Sequence, residues 1–381
     1  MQIFNNSDNI ASLYQRSLSL YISKDFAKAQ CGKLVTNSAQ DSEQANRRRE
    51  LLAIEEEAKQ AKVIEQYGKS HFKNQVTAAF FTKLTKKVNE DFDNKDRLYN
   101  NIAQIEDAAP AILEILAVRA ASISRIVPLA KSLPWLANEL VNLVNKPQYR
   151  KRADVKVSDP KIALSYIGLD NLKMVMPTFM LKHWLPYSTA PFSLMKRKLW
   201  NDSLAIAMAT GALAKEAGQD YYTAFTAGML SNIGMIAVTR CLLQQHQQLH
   251  GIELKKAFDN RDKRLHDVMV DIKPSAEMLL EQLALRSANI SADLVEIMSF
   301  DRLVITEAMF DLAYSHEVEK MCPLAQHITK AKAYVAMRSL AKEELISGDE
   351  AKALLIAGKV KTSDVSLLKK TDIDHIKLNF N

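Results

Sequence analysis

Apolar positions recur at helical spacing along most of the chain, and the polar positions between them mark where helices begin, end or face water. From Asn46, "NRRRELLAIEEEAKQAKVIEQYGKSHFKNQVTAAFFTKLTKKV" sets charges at i, i+4 intervals, Glu55 opposite Lys59 among them, and predicts a mostly solvated helix. No clean heptad persists through it, so it reads as a surface arm or connector rather than a coiled coil. The preceding "CGKLVTNSAQDSEQ" reads as a turn or loop.

Beyond about Asp96 the apolar repeats thicken. "IAQIEDAAPAILEILAVRAASISRIVPLAKSLPWLANELVNLVNK" predicts two or three helices punctuated by Pro110, Pro128 and Pro134. Ser132 is the expected N-cap of the last, with Pro134 near its first position and Leu136, Leu140, Leu143 and Val144 on its core face. Asp159 before Pro160 starts another helix, which Gly168 ends and Asp170 restarts. "MKRKLWNDSLAIAMATGALAKEAG" repeats Leu199, Leu204, Met208 and Leu213 before stopping at Gly218. The most apolar run, "DYYTAFTAGMLSNIGMIAVTRCLLQQHQQLHG", is expected to end at Gly251, and Ser275 and Ser291 are expected to cap later helices. Two short capped pieces, "GDEAKALLIAGKV" and "TSDVSLLKK", read as packed helical extensions. The pattern predicts an all-α fold: an N-terminal region over 1–95 with a charged helical arm, a helical domain over 96–315, and a helical extension over 316–381.

Composition reinforces this picture. Glycine and proline number 10 each in 381 residues, a scarcity that favours long helices over hairpin-rich sheets. Cys31, Cys241 and Cys322 have no CxxC spacing, which points to neither a disulfide framework nor structural zinc and to a reducing compartment. The first residues lack a basic start followed by an apolar stretch, and no window supplies the roughly 18 uncharged apolar residues of a membrane span. Cytoplasmic residence without membrane attachment is therefore expected. The net charge of +7 rests on 51 basic against 44 acidic residues, a surplus too thin to imply nucleic-acid binding.

The chemistry gathers around "AGMLSNIGMIA", in which Ser231 and Asn232 stand where a histidine and an aspartate would make a metal-binding pair. An ordered series surrounds it: "SISRIVPLAKSLPWLANELVNLVN" ending at Asn145, "VSDPKIALSYIGLDNLKMVM" with its Ile167–Gly168 pair, "LWNDSLAIAMATGALAKEAG" with Trp200, and "AFTAGMLSNIGMIA". In order and spacing this series resembles the HDOD signalling domains, relatives of the HD-type metal phosphohydrolases, over roughly Asp96 to Ser315. In an active HD-type site, imidazoles and carboxylates hold a divalent metal that activates water. The resemblance places Asp202 at a histidine-like position and Ser231 and Asn232 at the adjacent pair. A hydroxyl and an amide are poor ligands for such a metal. The resemblance thus implies a non-catalytic signalling protein, without metal or cofactor, that binds a protein partner or a small ligand, with Asp202, Ser231 and Asn232 around a vestigial pocket. Taken alone, Ser231 and Asn232 also read as ordinary helix residues, and Asp202 as a first-turn carboxylate. The alternative is a metal-dependent phosphohydrolase that draws ligands from Asp202, His266, Asp267 or Asp271.

Other candidates carry less. His246 and His250 lie at i, i+4 without the glutamate of HExxH and read as a surface pair. The basic clusters Arg150 to Arg152 beside Tyr149, and Lys196 to Lys198 near Trp200, could meet phosphates, and otherwise read as solvated loop charge. Trp135, Trp184 and Trp200 read as core or boundary anchors. Phosphate-binding glycine loops and the GxSxG elbow do not occur.

Overall fold

Asp159 accepts a hydrogen bond from the Lys161 N–H, Ser275 from that of Met278, and Asp220 from that of Thr223; each satisfies an orphan donor at the first turn of a helix. The computed structural model describes residues 4, 8–31, 53–149 and 156–378, and no strand occurs among them. The predicted loop over 31–44 lies outside the described residues apart from Cys31, and so do the charges from Arg47 to Glu50.

Helices α1 (Asp8–Ile22) and α2 (Lys24–Gln30) precede the long α3 (Ala53–Phe92). A short α4 (Lys95–Arg97) and a π-helical turn (Leu98–Ala103) lead to α5 (Ala108–Ala117), α6 (Ile123–Ser132), α7 (Pro134–Val144) and α8 (Pro160–Trp184). Then follow α9 (Met195–Glu216), α10 (Tyr221–Leu230), α11 (Ile233–Asp259), α12 (Lys263–Asp271) and α13 (Ala276–Ile297). Beyond them come α14 (Thr306–Tyr314), a 3-10 turn (Val318–Lys320), α15 (Pro323–Lys342), α16 (Gly348–Ala357) and α17 (Thr362–Lys370).

The centre is the packing of α9 on α10 and of α11 on α13. Small residues permit both approaches. A Cβ on Gly228 would lie 2.8 Å from the Ala207 Cα, and one on Gly234 would overlap the Ser287 carbonyl oxygen. The most apolar run is thus two helices, broken at Ser231 and Asn232. Tyr221–Asp259 is long and apolar enough, by length and composition, to cross a membrane, contrary to the window count above. Its most apolar 18-residue window is 89% buried inside the protein.

Several expected boundaries shift. The residue before α7 is Leu133, while Ser132 belongs to α6 and its hydroxyl donates to the Leu129 carbonyl. Gly168, at φ 74° and ψ 157°, does interrupt α8, as its position in the sequence predicts. Gly251 ends nothing, because α11 runs on to Asp259, and Ser291 lies inside α13. The arm is solvated only in part. Phe80, Leu84, Val88 and Phe92 are buried against the body, and Asp91 accepts hydrogen bonds from Gln245 Nε2 at 2.6 Å and Arg97 Nε at 2.9 Å.

The first and the last helices described pack on the same body. Helix α15 lies along α9, and α1 touches α9, α13, α15 and α16. Ala205, Ile206, Ala209 and Leu213 of α9 share a core with Ala331, Tyr334, Val335 and Leu368 from the C-terminal helices. Arg16 and Glu350 pair at 3.1 Å, and Lys24 and Glu343 at 2.7 Å, which joins the first helices to the last.

Candidate functional site

Asp202 sits two turns into α9 rather than in its first turn, and it is buried. Lys198, one turn earlier, brings its Nζ to 2.9 Å from Asp202 Oδ2. The same ammonium donates to Ser339 Oγ of α15 at 3.1 Å and lies 5.0 Å from the Tyr21 ring centroid of α1. Burial raises the Tyr21 hydroxyl well above its usual pKa, and the neighbouring Asp202 charge and the hydrogen bond to Asp202 raise it further. A carboxylate and an ammonium of α9 and a phenol of α1 therefore satisfy one another.

Ser231 and Asn232 occupy the break between α10 and α11 and are almost wholly buried. Their side chains turn to local partners. Ser231 Oγ donates to the Gly228 carbonyl at 2.8 Å, and Asn232 Nδ2 donates across to Ser203 Oγ of α9 at 3.2 Å. The Ser231 carbonyl is an orphan acceptor at the C-terminal end of α10, where the helix dipole favours positive charge. Two donors meet it: Lys332 Nζ from α15 at 3.0 Å and Ser291 Oγ from α13 at 3.2 Å. Ser291 Oγ also accepts the Gly234 N–H at 2.9 Å, so one serine inside α13 stitches both sides of the break. Loss of hydration on burial lowers the Lys332 ammonium pKa to about 7.

These residues do not fit a divalent metal. The one carboxylate of the expected set is neutralised by Lys198, the amide nitrogen of Asn232 is a donor rather than an acceptor, and an ammonium already holds the Ser231 carbonyl. Sequence reasoning named Asp202, Ser231 and Asn232 as the surround of a vestigial pocket, and did not name their partners Lys198, Tyr21, Ser203, Ser291 and Lys332. The only local hint for Lys332 is its place in "AKAYV", among residues at core spacing.

The other candidates fall apart from this centre or change character. His246 is buried rather than superficial, against Phe80, and its ring stacks on His250 with centroids 5.7 Å apart. Burial, and secondarily the charge of His250, lower its pKa to about 4. His266 and Asp267 meet only at 3.9 Å on α12, and Asp271 of the same helix pairs with Lys73 at 2.9 Å. Lys196 to Lys198 form the first turn of α9, not a loop, and Lys198 is largely buried in its pair with Asp202. Arg150 to Arg152 lie outside the described residues. Asn145, the end of the first matching segment, grips Val157 twice: its Oδ1 accepts the Val157 N–H at 3.0 Å and its Nδ2 donates to the Val157 carbonyl at 2.7 Å. Trp184 is fully buried, whereas Trp135 is half-buried. Among the described residues no group of three or more histidine, cysteine, aspartate and glutamate side chains is placed to hold a metal ion.

The described residues form an all-helical fold in which Asp202, Ser231 and Asn232 are held by protein partners. Residues 102–282 match the family model of the HDOD domain, and the chain carries an HDOD domain over that stretch. Among solved structures, it is similar to a protein from Shewanella amazonensis SB2B described as a candidate phosphohydrolase. That match has 17% identity and a TM-score of 0.45 over 75% of this chain and 92% of that one. A candidate signal transduction protein from Marinobacter aquaeolei VT8 matches at 18% identity and a TM-score of 0.44, over 78% of this chain and 64% of that one. An HDOD domain protein of unknown function from Geobacter sulfurreducens matches at 19% identity and a TM-score of 0.40, over 71% and 85%. None of the curated proteins matches this chain.

Proposed function

We propose that the chain is a non-catalytic regulatory protein of signal transduction, resident in the bacterial cytoplasm, whose HDOD domain acts by binding a protein partner or small ligand. The observation that carries this reading is a pair of lysines on the residues that the resemblance assigns to the metal site: Lys198 on Asp202 and Lys332 on the Ser231 carbonyl. A metal-bound hydroxide needs anionic or imidazole donors with an open position, and two ammonium groups supply neither. Asp202, Ser231 and Asn232 then act as a structural centre, or as the floor of a metal-free ligand site. Protein contacts fall on α3 and the outer helix faces.

Elemental analysis of the purified full chain, paired with phosphate release from nucleotides and simple phosphoesters in added manganese, iron or zinc, tests this. The expected result is far less than one bound ion per chain and no metal-dependent release. Stoichiometric metal lost on changing Asp202, together with turnover, would replace the reading with an HD-type phosphohydrolase. For that alternative, His266, Asp267 and Asp271 offer only a loose pair and a carboxylate already bound to Lys73.

A further inference from the structure

A cavity of about 520 Å³ opens between α7, the end of α8, the start of α9 and the first third of α11, and none of Asp202, Ser231 and Asn232 lines it. Its volume lies in the range of small-molecule pockets. Lys182, Lys196 and Arg240 line it against the single carboxylate of Glu139, so its wall is cationic. Lys182 meets Glu139 only at 3.5 Å, with both side chains exposed, and such a pair contributes little in water. Lys196 Nζ donates to the Tyr187 carbonyl at 3.1 Å and stands 5.8 Å from the centroid of that residue's ring. Arg240 is held in place by neutral oxygens alone: Nη1 donates to the Ala103 and Trp184 carbonyls at 3.1 Å each, and Nη2 to Gln104 Oε1 at 2.5 Å. Its hydrogen bonds fix the guanidinium, and the Glu106 carboxylate behind Trp135 and His183 offsets part of its charge, which leaves three cations against two carboxylates.

The rest of the wall is aromatic. Trp135 stacks on His183 with centroids 3.9 Å apart and planes 5° from parallel, and its Nε1 donates to Glu106 Oε1 at 3.0 Å. That hydrogen bond fixes the indole. Phe179 lines the same hollow, and Tyr187, at 98% exposure, leaves a whole ring in water at the rim. A solitary exposed ring needs no explanation, but one beside fixed aromatics and three cations forms a platform for a flat ring that carries negative charge. Asn138 and Gln104 add amide groups able to hydrogen-bond a ring edge. Lysine ammonium groups suit phosphate as point charges, and aromatic faces accept any base.

We propose that this cavity binds a nucleoside phosphate, its base against Tyr187 and Trp135 and its phosphate against Lys182, Lys196 and Arg240. The site is separate from the Asp202 centre, and its occupation does not depend on whether that centre is catalytic.

The test is calorimetric titration of the full chain at low salt with AMP, GMP, CMP and UMP, and with each parent nucleoside and inorganic phosphate as controls. At least one monophosphate is expected to bind, its nucleoside and inorganic phosphate each about tenfold more weakly. Tyr187→Ala and Lys182→Glu change exposed side chains, and unaltered far-ultraviolet circular dichroism would confirm that they fold. Each is expected to weaken the nucleotide about tenfold. Absence of binding by all four monophosphates at millimolar concentration would overturn the proposal. So would a nucleoside or inorganic phosphate that binds as well as the nucleotide, or binding unchanged by Tyr187→Ala.

Discussion

Lys332 is a lysine whose environment departs far from what its type leads one to expect. In the unfolded chain its ammonium titrates near 10.5, and in the fold near 7. The unfolded state therefore holds more protons between about pH 7 and 10.5, and stability from this group must rise with pH across that window. Below pH 7 both states are protonated and that contribution is absent. Replacement by methionine keeps the stem and deletes the titration. In urea unfolding, the wild-type midpoint is expected to climb relative to that of Lys332→Met between pH 7 and pH 10, and a gap that stays constant with pH would show that the ammonium is not desolvated. His246 illustrates the same principle in a histidine: burial against Phe80 favours the neutral ring. Its i, i+4 relation to His250 was visible in the sequence, but its burial was not, because that depends on α3 packing onto α11.

Among the elements, the crossing of α11 on α13 is the tightest. The Gly234 N–H reaches Ser291 Oγ, and a methyl group there would overlap the Ser287 carbonyl oxygen. Backbone cannot move aside as a flexible side chain can. Gly234→Ala is expected to cost roughly 1–3 kcal/mol or more, as overpacking a closed core does. The measurement is the loss of stability in chemical denaturation; an unchanged value would mean the two helices can separate freely. Local signals located many boundaries, among them Asp159, Gly218 and Ser275, because a cap or a left-handed glycine acts within one turn. They failed at Ser132, Gly251 and Ser291. A serine caps a helix only if the backbone leaves helical geometry there, and in α13 the packing against α11 gives Ser291 a different partner.

Across the whole molecule, the HDOD match covers residues 102–282, yet Tyr21 and Lys332, which complete its centre, lie on either side of it. The C-terminal helices share a core with α9, and ion pairs tie α1 and α2 to the chain's last third. A shortened chain of residues 96–315 would expose that face of α9. It is expected to unfold at lower denaturant than the full chain and to bind a hydrophobic dye, whereas the full chain unfolds in a single transition. Equal stability of the two would mark the flanks as independent of the central domain.

The sequence by itself determined the helical class, many helix starts and stops, and the ordered series through Asn145, Gly168, Trp200 and Asn232 that points to the family. Each of these depends on periodicity, capping or motif order, which are written along a single strand of residues. Tertiary structure alone decided that Lys332 would meet the Ser231 carbonyl, 101 residues away, and that Trp135, His183, Tyr187 and Arg240 would border one hollow. An amphipathic pattern states which face of a helix leaves water. The choice of what that face meets belongs to the packing of all the helices together.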